Sequence, residues 1–179
     1  MAKSVLIPLQ VAAKQLDTLN KSFISSADVE NGQIFAKSTL STTADESEVY
    51  TITTPATATL SGLYMAWSPE DVILTAADGN QYKVGDMNPQ NFTNVAGLVF
   101  SGFKPQVGDR ILISADGFTG AKGVSDTHAV GTDGQDKLVW GTAAGNGLSF
   151  ALEAVSYISI ATGFGSQRKV AYIMECVKN

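Results

Sequence analysis

The residues that build metal centres and nucleophilic sites are almost missing from this chain, which holds one cysteine, Cys176, and one histidine, His128. A usual zinc site needs three or four protein ligands, mostly Cys and His, so no resident metal or cofactor is expected. A lone cysteine also excludes an internal disulfide framework and suits folding in a reducing cytosol. Charge is scarce too. Charged residues make up 16% of the chain, against roughly 25% in average soluble domains, so Ser, Thr, Asn, Gln and Gly must cover the surface. Twelve Lys and Arg against seventeen Asp and Glu leave a net charge of −5. The basic residues are dispersed, Arg168-Lys169 being the densest pair. Non-specific nucleic-acid and anionic-membrane binders need a basic patch, so neither partner is expected. Long apolar runs are missing as well. The start, "MAKSVLIPLQ", carries an apolar run of four residues ending at Pro8. That is too short for a signal peptide or a membrane span, and the chain is expected to be made in the cytoplasm.

What is present reads as β structure. At 179 residues the chain suits one domain or two small ones, able to bury roughly 70% of its unfolded surface. Few stretches have helical spacing, the best being "LQVAAKQLDTLN", with Leu9, Ala12, Leu16 and Leu19. It lacks caps, so it reads either as a short helix or as an extended arm. From "ENGQIF" onward the pattern changes: Asn31-Gly32 is a turn pair leading into Ile34 and Phe35. "EVYTITTPATATLSGLYMAW" gives two period-2 runs divided by Pro55, with Ala56, Ala58 and Leu60 alternating with Thr57, Thr59 and Ser61. "DVILTAADGNQYKVGD" reads as a strand, an Asp78-Gly79 turn and a short strand or loop. "FKPQVGDRILISADGF" is a strand entered through Gly108-Asp109 and left through Asp116-Gly117. "KLVWGT", "LSFALEAVSYISIAT" and "RKVAYIMECV" follow, and in the last of these Val170, Tyr172, Met174 and Cys176 share one face. About nine or ten strands with regular turn signals are expected, as in a sandwich or barrel. The fold class is therefore all-β: a compact β-barrel or sandwich, or two small β lobes. Residues 1–22 form an extended or briefly helical N-terminal arm and 23–179 the β domain. Residues 114–137, rich in Gly, Asp, Ser and Thr, read as a long exposed loop, either structureless or holding a small hairpin.

No catalytic set emerges, and the chain is expected not to be an enzyme. His128 has Ser125 and Asp126 beside it, but triads assemble in space rather than within four loop residues, so it reads as a solvated loop histidine. Asp116, Asp126, Asp133 and Asp136 lack the spacing of a calcium loop and read as turn formers. "GTAAGNG" and "GFGSQRK" match neither phosphate-binding nor dinucleotide patterns and read as turns. Asp45, Glu46 and Glu48 are too close together for a glycosidase pair. Cys176 alternates with apolar residues as a buried thiol would, and Trp67 and Trp140 sit in strand-like segments as core residues would. "NFTNVAG" at 91–97 reads as a structural turn in which Asn91 and Asn94 bond to nearby backbone and Gly97 supplies a conformation closed to other residues.

Four short motifs, "ENGQ", "SPE", "FTNVAG" and "VGDRILIS", occur in this order from residue 30 to 114, with "YISIATGFGSQRKVAYIMECV" after them. In this order the chain resembles tailed-bacteriophage capsid decoration proteins, the small auxiliary or cement proteins of the head. The resemblance runs from about residue 2 to 177 and leaves 114–137 without a counterpart. It implies a virion structural protein on the capsid surface that binds and stabilises the icosahedral head. The implied partners are the major capsid protein and further copies of the chain, as in a trimer. A tail or fibre adhesin domain, binding carbohydrate through the Gly/Asp loop and a tryptophan, is the alternative. Under the decoration reading, Val5, Leu6, Ile7 and Leu9 are the partner-binding residues, unless this segment is the first strand of the domain itself.

Overall fold

The computed structural model describes residues 3–42, 48–69, 72–75, 81–84, 88–162 and 165–179. It is built of strands, as the all-β reading expected. β1 (Leu6–Gln10) is followed by two separate 3-10 turns, Ala12–Lys14 and Asp17–Leu19. These take the place of a short helix. Neither turn has a side-chain N-cap, and the Ala12 amide donates to Asp109 Oδ1 at 2.8 Å. A first helical turn is costly to form, and here no side-chain cap offsets that cost.

β2 (Asn20–Ile24), β3 (Ile34–Leu40), β4 (Val49–Thr53) and β5 (Tyr64–Ala66) come next, then β6 (Val72–Thr75) and β7 (Gln81–Val84), and β8 (Val99–Phe103). β6 and β7 pair antiparallel as a two-stranded sheet, while the Asp78-Gly79 turn expected between them lies outside the described residues. The other five close into a small barrel in the order β2-β4-β3-β5-β8, with β2 and β4 parallel. Its interior is aromatic. Phe23 lies 4.7 Å from Phe35 and 5.1 Å from Tyr64, both edge-on, with Phe100 alongside. Gly102 permits this packing, since a Cβ there would stand 2.9 Å from Phe35 and 3.0 Å from Phe23.

The second sheet uses β9 (Arg110–Ser114), β10 (Phe118–Thr119), β11 (His128–Val130), β12 (Leu138–Gly141), β13 (Ser149–Thr162) and β14 (Gly165–Lys178). Its order is β1-β9-β14-β13-β11-β12-β10. Leu6, Ile113 and Tyr172 lie in one cross-strand row. One core joins this sheet to the barrel wall: Leu6, Ile113, Leu138, Phe150 and Met174 pack with Ile34, Leu63, Met65 and Phe103. β3 and β5 serve both cores. Ile34 and Ala36 point to the shared core and Phe35 into the barrel; Met65 points to the shared core and Tyr64 and Ala66 into the barrel. Strands buried on both faces lose polar alternation, and Ile34–Ala36 and Leu63–Ala66 are accordingly unbroken apolar stretches.

Three expectations are corrected here. The N-terminal segment is extended, but its β1 is a strand of the domain rather than a free arm. Thr57–Thr59 is a 3-10 turn, not a strand. Thr59 Oγ1 accepts from the Ala56 amide and donates to the Ala56 carbonyl, a local bonding pattern that competes with a ladder. The stretch 114–137 is only partly loop, because Phe118 and Ala129 are buried and carry β10 and β11 into the sheet. No helix among the described residues is long and apolar enough to cross a membrane.

β13 and β14 outrun their neighbours. They pair with each other from Ser149↔Lys178 to Thr162↔Gly165, but β11 flanks β13 only at Ser149–Ala151 and β9 flanks β14 only at Ala171–Glu175.

Candidate functional site

The polar residues that the structure gathers most tightly are those of the sequence motifs. In the Asn31-Gly32 turn, Gly32 takes φ of 90°, a left-handed value suited to glycine, and its amide donates to the Ala66 carbonyl at 2.8 Å. That fixes Asn31 inside the protein at 1% exposure. Asn31 Nδ2 donates to the Ser68 carbonyl at 2.9 Å, while its Oδ1 accepts from the Ser68 amide at 3.0 Å and from Asn94 Nδ2 at 3.3 Å. Asn94, also buried, donates to the Val29 carbonyl at 2.9 Å. The Ser4 hydroxyl donates to the Asn31 carbonyl. Residues of "ENGQ", "SPE" and "FTNVAG" therefore meet at one point, tied to the N-terminal segment. The role expected for Asn94 is corrected in range: its bonds reach across the fold rather than to its own turn. Val95 to Val99, just after it, stay exposed, and Glu70 lies outside the described residues.

An ionic layer borders this junction. Glu30 accepts from the Ser4 amide at 3.2 Å and from Lys137 Nζ at 2.9 Å, with Lys3 Nζ 3.6 Å away. Lys137 also donates to the Asp116 carbonyl at 3.0 Å, and Lys169 pairs with the Asp116 carboxylate at 3.0 Å. Burial pushes the Glu30 carboxyl up, but the hydrogen bonds from Lys137 and Ser4 and the charges of Lys137 and Lys3 outweigh it, so the group sits below the ordinary glutamate value. A carboxyl with a lowered folded pKa stabilises the fold fully above its unfolded value, about 4.3, and loses that contribution as the pH falls through the folded one. Acid titration followed by circular dichroism should therefore show Glu30→Gln losing part of the acid sensitivity of the parent below about pH 4. An unchanged acid transition would contradict the assignment.

"VGDRILIS" makes the second junction. Asp109, 4% exposed, accepts from the Ala12 amide at 2.8 Å and the Gln106 amide at 2.8 Å, and its carbonyl accepts from the Cys176 amide at 2.7 Å. Ser114 Oγ accepts from the Val5 amide at 3.0 Å. Every fully buried side-chain nitrogen or oxygen among the described residues has a partner. These polar groups are spent on holding strands together.

The candidate reactive groups are dispersed. His128 lies in β11 rather than in a loop, and its Nδ1 is 2.9 Å from Thr127 Oγ1. Asp126 accepts from the Gly123 amide at 2.6 Å, Asp133 from Thr57 Oγ1 at 3.1 Å, and Asp136 from Gln33 Nε2 at 2.7 Å. Among the described residues no three His, Cys, Asp or Glu side chains stand together as a metal site would require. Burial pushes the Cys176 thiol up to about 12, which leaves it protonated and unreactive at neutral pH. Gly145 and Gly147 hold a turn closed on Ser149, whose hydroxyl accepts from the Gly145 amide and donates to the Gly147 carbonyl. Part of the other glycine stretch, residues 163 and 164, lies outside the described residues, as do Asp45 and Glu46.

Trp140 stacks on Phe118 with centroids 4.3 Å apart, meets Tyr172 edge-on at 4.9 Å and has Lys122 5.8 Å from its centroid, so its ring is engaged within the domain. Trp67 differs. It is partly buried beside a groove of about 460 Å³ lined also by Val11, Lys14, Asp17, Asn20 and Phe103.

The four aliphatic residues named as partner-binding are split by β1. Val5 and Leu6 are 1% and 2% exposed and belong to the domain's own cores, on opposite faces of the sheet. Their assignment to a partner is corrected to packing. Ile7 and Leu9 are 40% and 42% exposed and remain available to one.

Comparison with protein-family models, curated proteins and solved structures found no match to this chain.

Proposed function

We propose that this chain is a non-enzymatic virion structural protein that decorates the head of a tailed phage, binding the major capsid protein and stabilising the shell. The observation that carries the reading is the meeting of its motifs. The stretches on which the resemblance rests, "ENGQ", "SPE" and "FTNVAG", converge on Asn31 and lock the N-terminal strand to the barrel. A cement protein needs a rigid β body more than a reactive cleft, and a fingerprint made of junction residues suits that requirement. A surface with few ions agrees with contacts that are apolar and neutral, which persist in salt that screens charge pairs within about 10 Å.

Of the N-terminal aliphatics, Ile7 and Leu9 are those left to meet a capsid protein. The double variant Ile7→Ser, Leu9→Ser should stay folded and bind decoration-free expanded heads roughly tenfold more weakly or worse, measured by co-sedimentation. Unchanged binding would move the contact elsewhere. Quantitative mass spectrometry of purified particles tests the role itself: copy numbers comparable to the major capsid protein support decoration, and absence from particles overturns it.

A second reading, a carbohydrate-binding tail or fibre domain, has the Trp67 groove in its favour, because an indole beside Asp17, Asn20 and Lys14 offers stacking and hydrogen bonding to a sugar. A copy number far below that of the capsid protein would favour it.

A further inference from the structure

Strand edges invite pairing with other chains, and proteins protect them with charge, proline or brevity. The large sheet has four open edges among the described residues, and three carry such protection. β1 contains Pro8, whose carbonyl accepts from Lys14 Nζ at 2.7 Å. β10 is two residues long. The outer part of β14, before Ala171, carries Arg168 and Lys169. The fourth edge is the outer part of β13. From Ala154 to Thr162 the sequence is AVSYISIAT, without charge or proline and rich in β-branched residues.

No described strand pairs with this stretch on the side away from β14; the last outer bond is the Leu152 amide to the Thr127 carbonyl at 2.8 Å. The stretch is firmly held from within. Ile158 and Ile160 are 7% and 1% exposed, packing in a cluster with Val5 and Ala171. On the opposite face Val155 and Tyr157 are 56% and 47% exposed, with Arg168 lying 3.8 Å over the Tyr157 ring. An uncharged, β-prone edge is thus presented whose outward ladder groups no described strand takes up.

We propose that the Ala154–Thr162 edge pairs antiparallel with the same edge of a second copy of this chain across a two-fold axis. Self-pairing fits because the segment carries nothing that repels its own image. Antiparallel pairing about Ile158 sets Tyr157 opposite Ser159 and keeps exposed residues on one face and buried ones on the other. Nine residues at roughly 3.3 Å each give an edge about 30 Å long on a sheet about 10 Å thick. That is about 300 Å² per copy, against about 800 Å² per partner in a standard interface. The dimer is therefore weak, with dissociation in the micromolar-to-millimolar range, and forms where copies are concentrated. The inference stands apart from the virion role, since it needs only the purified chain.

Sedimentation velocity and amide exchange across a concentration series from roughly 10 μM to 1 mM test it. The wild-type mass should rise toward that of a dimer, with protection growing at residues 154–160 alone. The double variant Val155→Lys, Ser159→Lys, placed at exposed positions, should stay monomeric with an unchanged melting temperature. Should that variant fail to fold, the exchange pattern of the wild type decides alone. A wild type that remains monomeric at the highest concentration overturns the proposal. So does a folded lysine variant that still dimerises. If the wild type stays monomeric while the lysine variant loses head binding, the edge belongs to a capsid strand and self-pairing is wrong.

Discussion

Removing residues 3–10 should leave a chain that no longer folds cooperatively, rather than a folded body lacking an appendage. Val5 and Leu6 are buried on opposite faces of the sheet, and burial of two such side chains is worth about 3–6 kcal/mol. The loss would also strip the β1 ladder from β9 and leave Ser114 Oγ and the Ser114 amide without their bonds to Val5. Against a total stability of roughly 5–15 kcal/mol, that is enough to unfold the domain. Urea titration followed by tryptophan fluorescence would show no cooperative transition. A truncated chain with a parent-like transition would restore the free-arm reading.

Asn31→Ala should cost about 1–3 kcal/mol, because the amide and carbonyl of the half-buried Ser68 would both lose their partner and could recover only part of the loss from water. Asn94 Nδ2 keeps its bond to the Val29 carbonyl, so the damage centres on Ser68. Asn146→Ala, at an exposed position in the 141–147 turn, should change stability by no more than about 0.5 kcal/mol. Chemical denaturation of both variants measures the contrast. A loss below about 1 kcal/mol at Asn31 would mean that water replaces the side chain and the junction is not cooperative.

The β character was legible because it is written locally, in turn pairs such as Asn31-Gly32 and Asp116-Gly117 and in alternation along β9 and β14. Barrel closure was not. It depends on β2 meeting β4 in parallel and β8 antiparallel, contacts for which no short window carries a signal. The N-terminal segment was ambiguous for a definite reason: Val5 and Leu6 are consecutive and both buried, since apolar groups cover the sheet on both sides there, so strand alternation is lost. In Thr57–Thr59, the alternation of Ala and Thr imitated a strand while Thr59 satisfied its own turn. The junction residues were recognisable one motif at a time. That Asn31, Ser68 and Asn94 would bond to one another depends on how the barrel strands are brought together, which their spacing does not encode.

The row Leu6, Ile113, Tyr172 also sets a schedule. The first strand cannot find its place until β9 exists, and β9 is held on its other side by β14, which follows much later in the chain. At a synthesis rate of roughly 5–20 residues per second, Leu6 waits on the order of ten seconds for Tyr172. Through that interval the barrel strands, complete once β8 has emerged, can close around Phe23, while the N-terminal aliphatics stay uncovered. Completion of this sheet is thus a late event, and Val5 and Leu6 are the side chains left open to chaperones and to misassociation on the way.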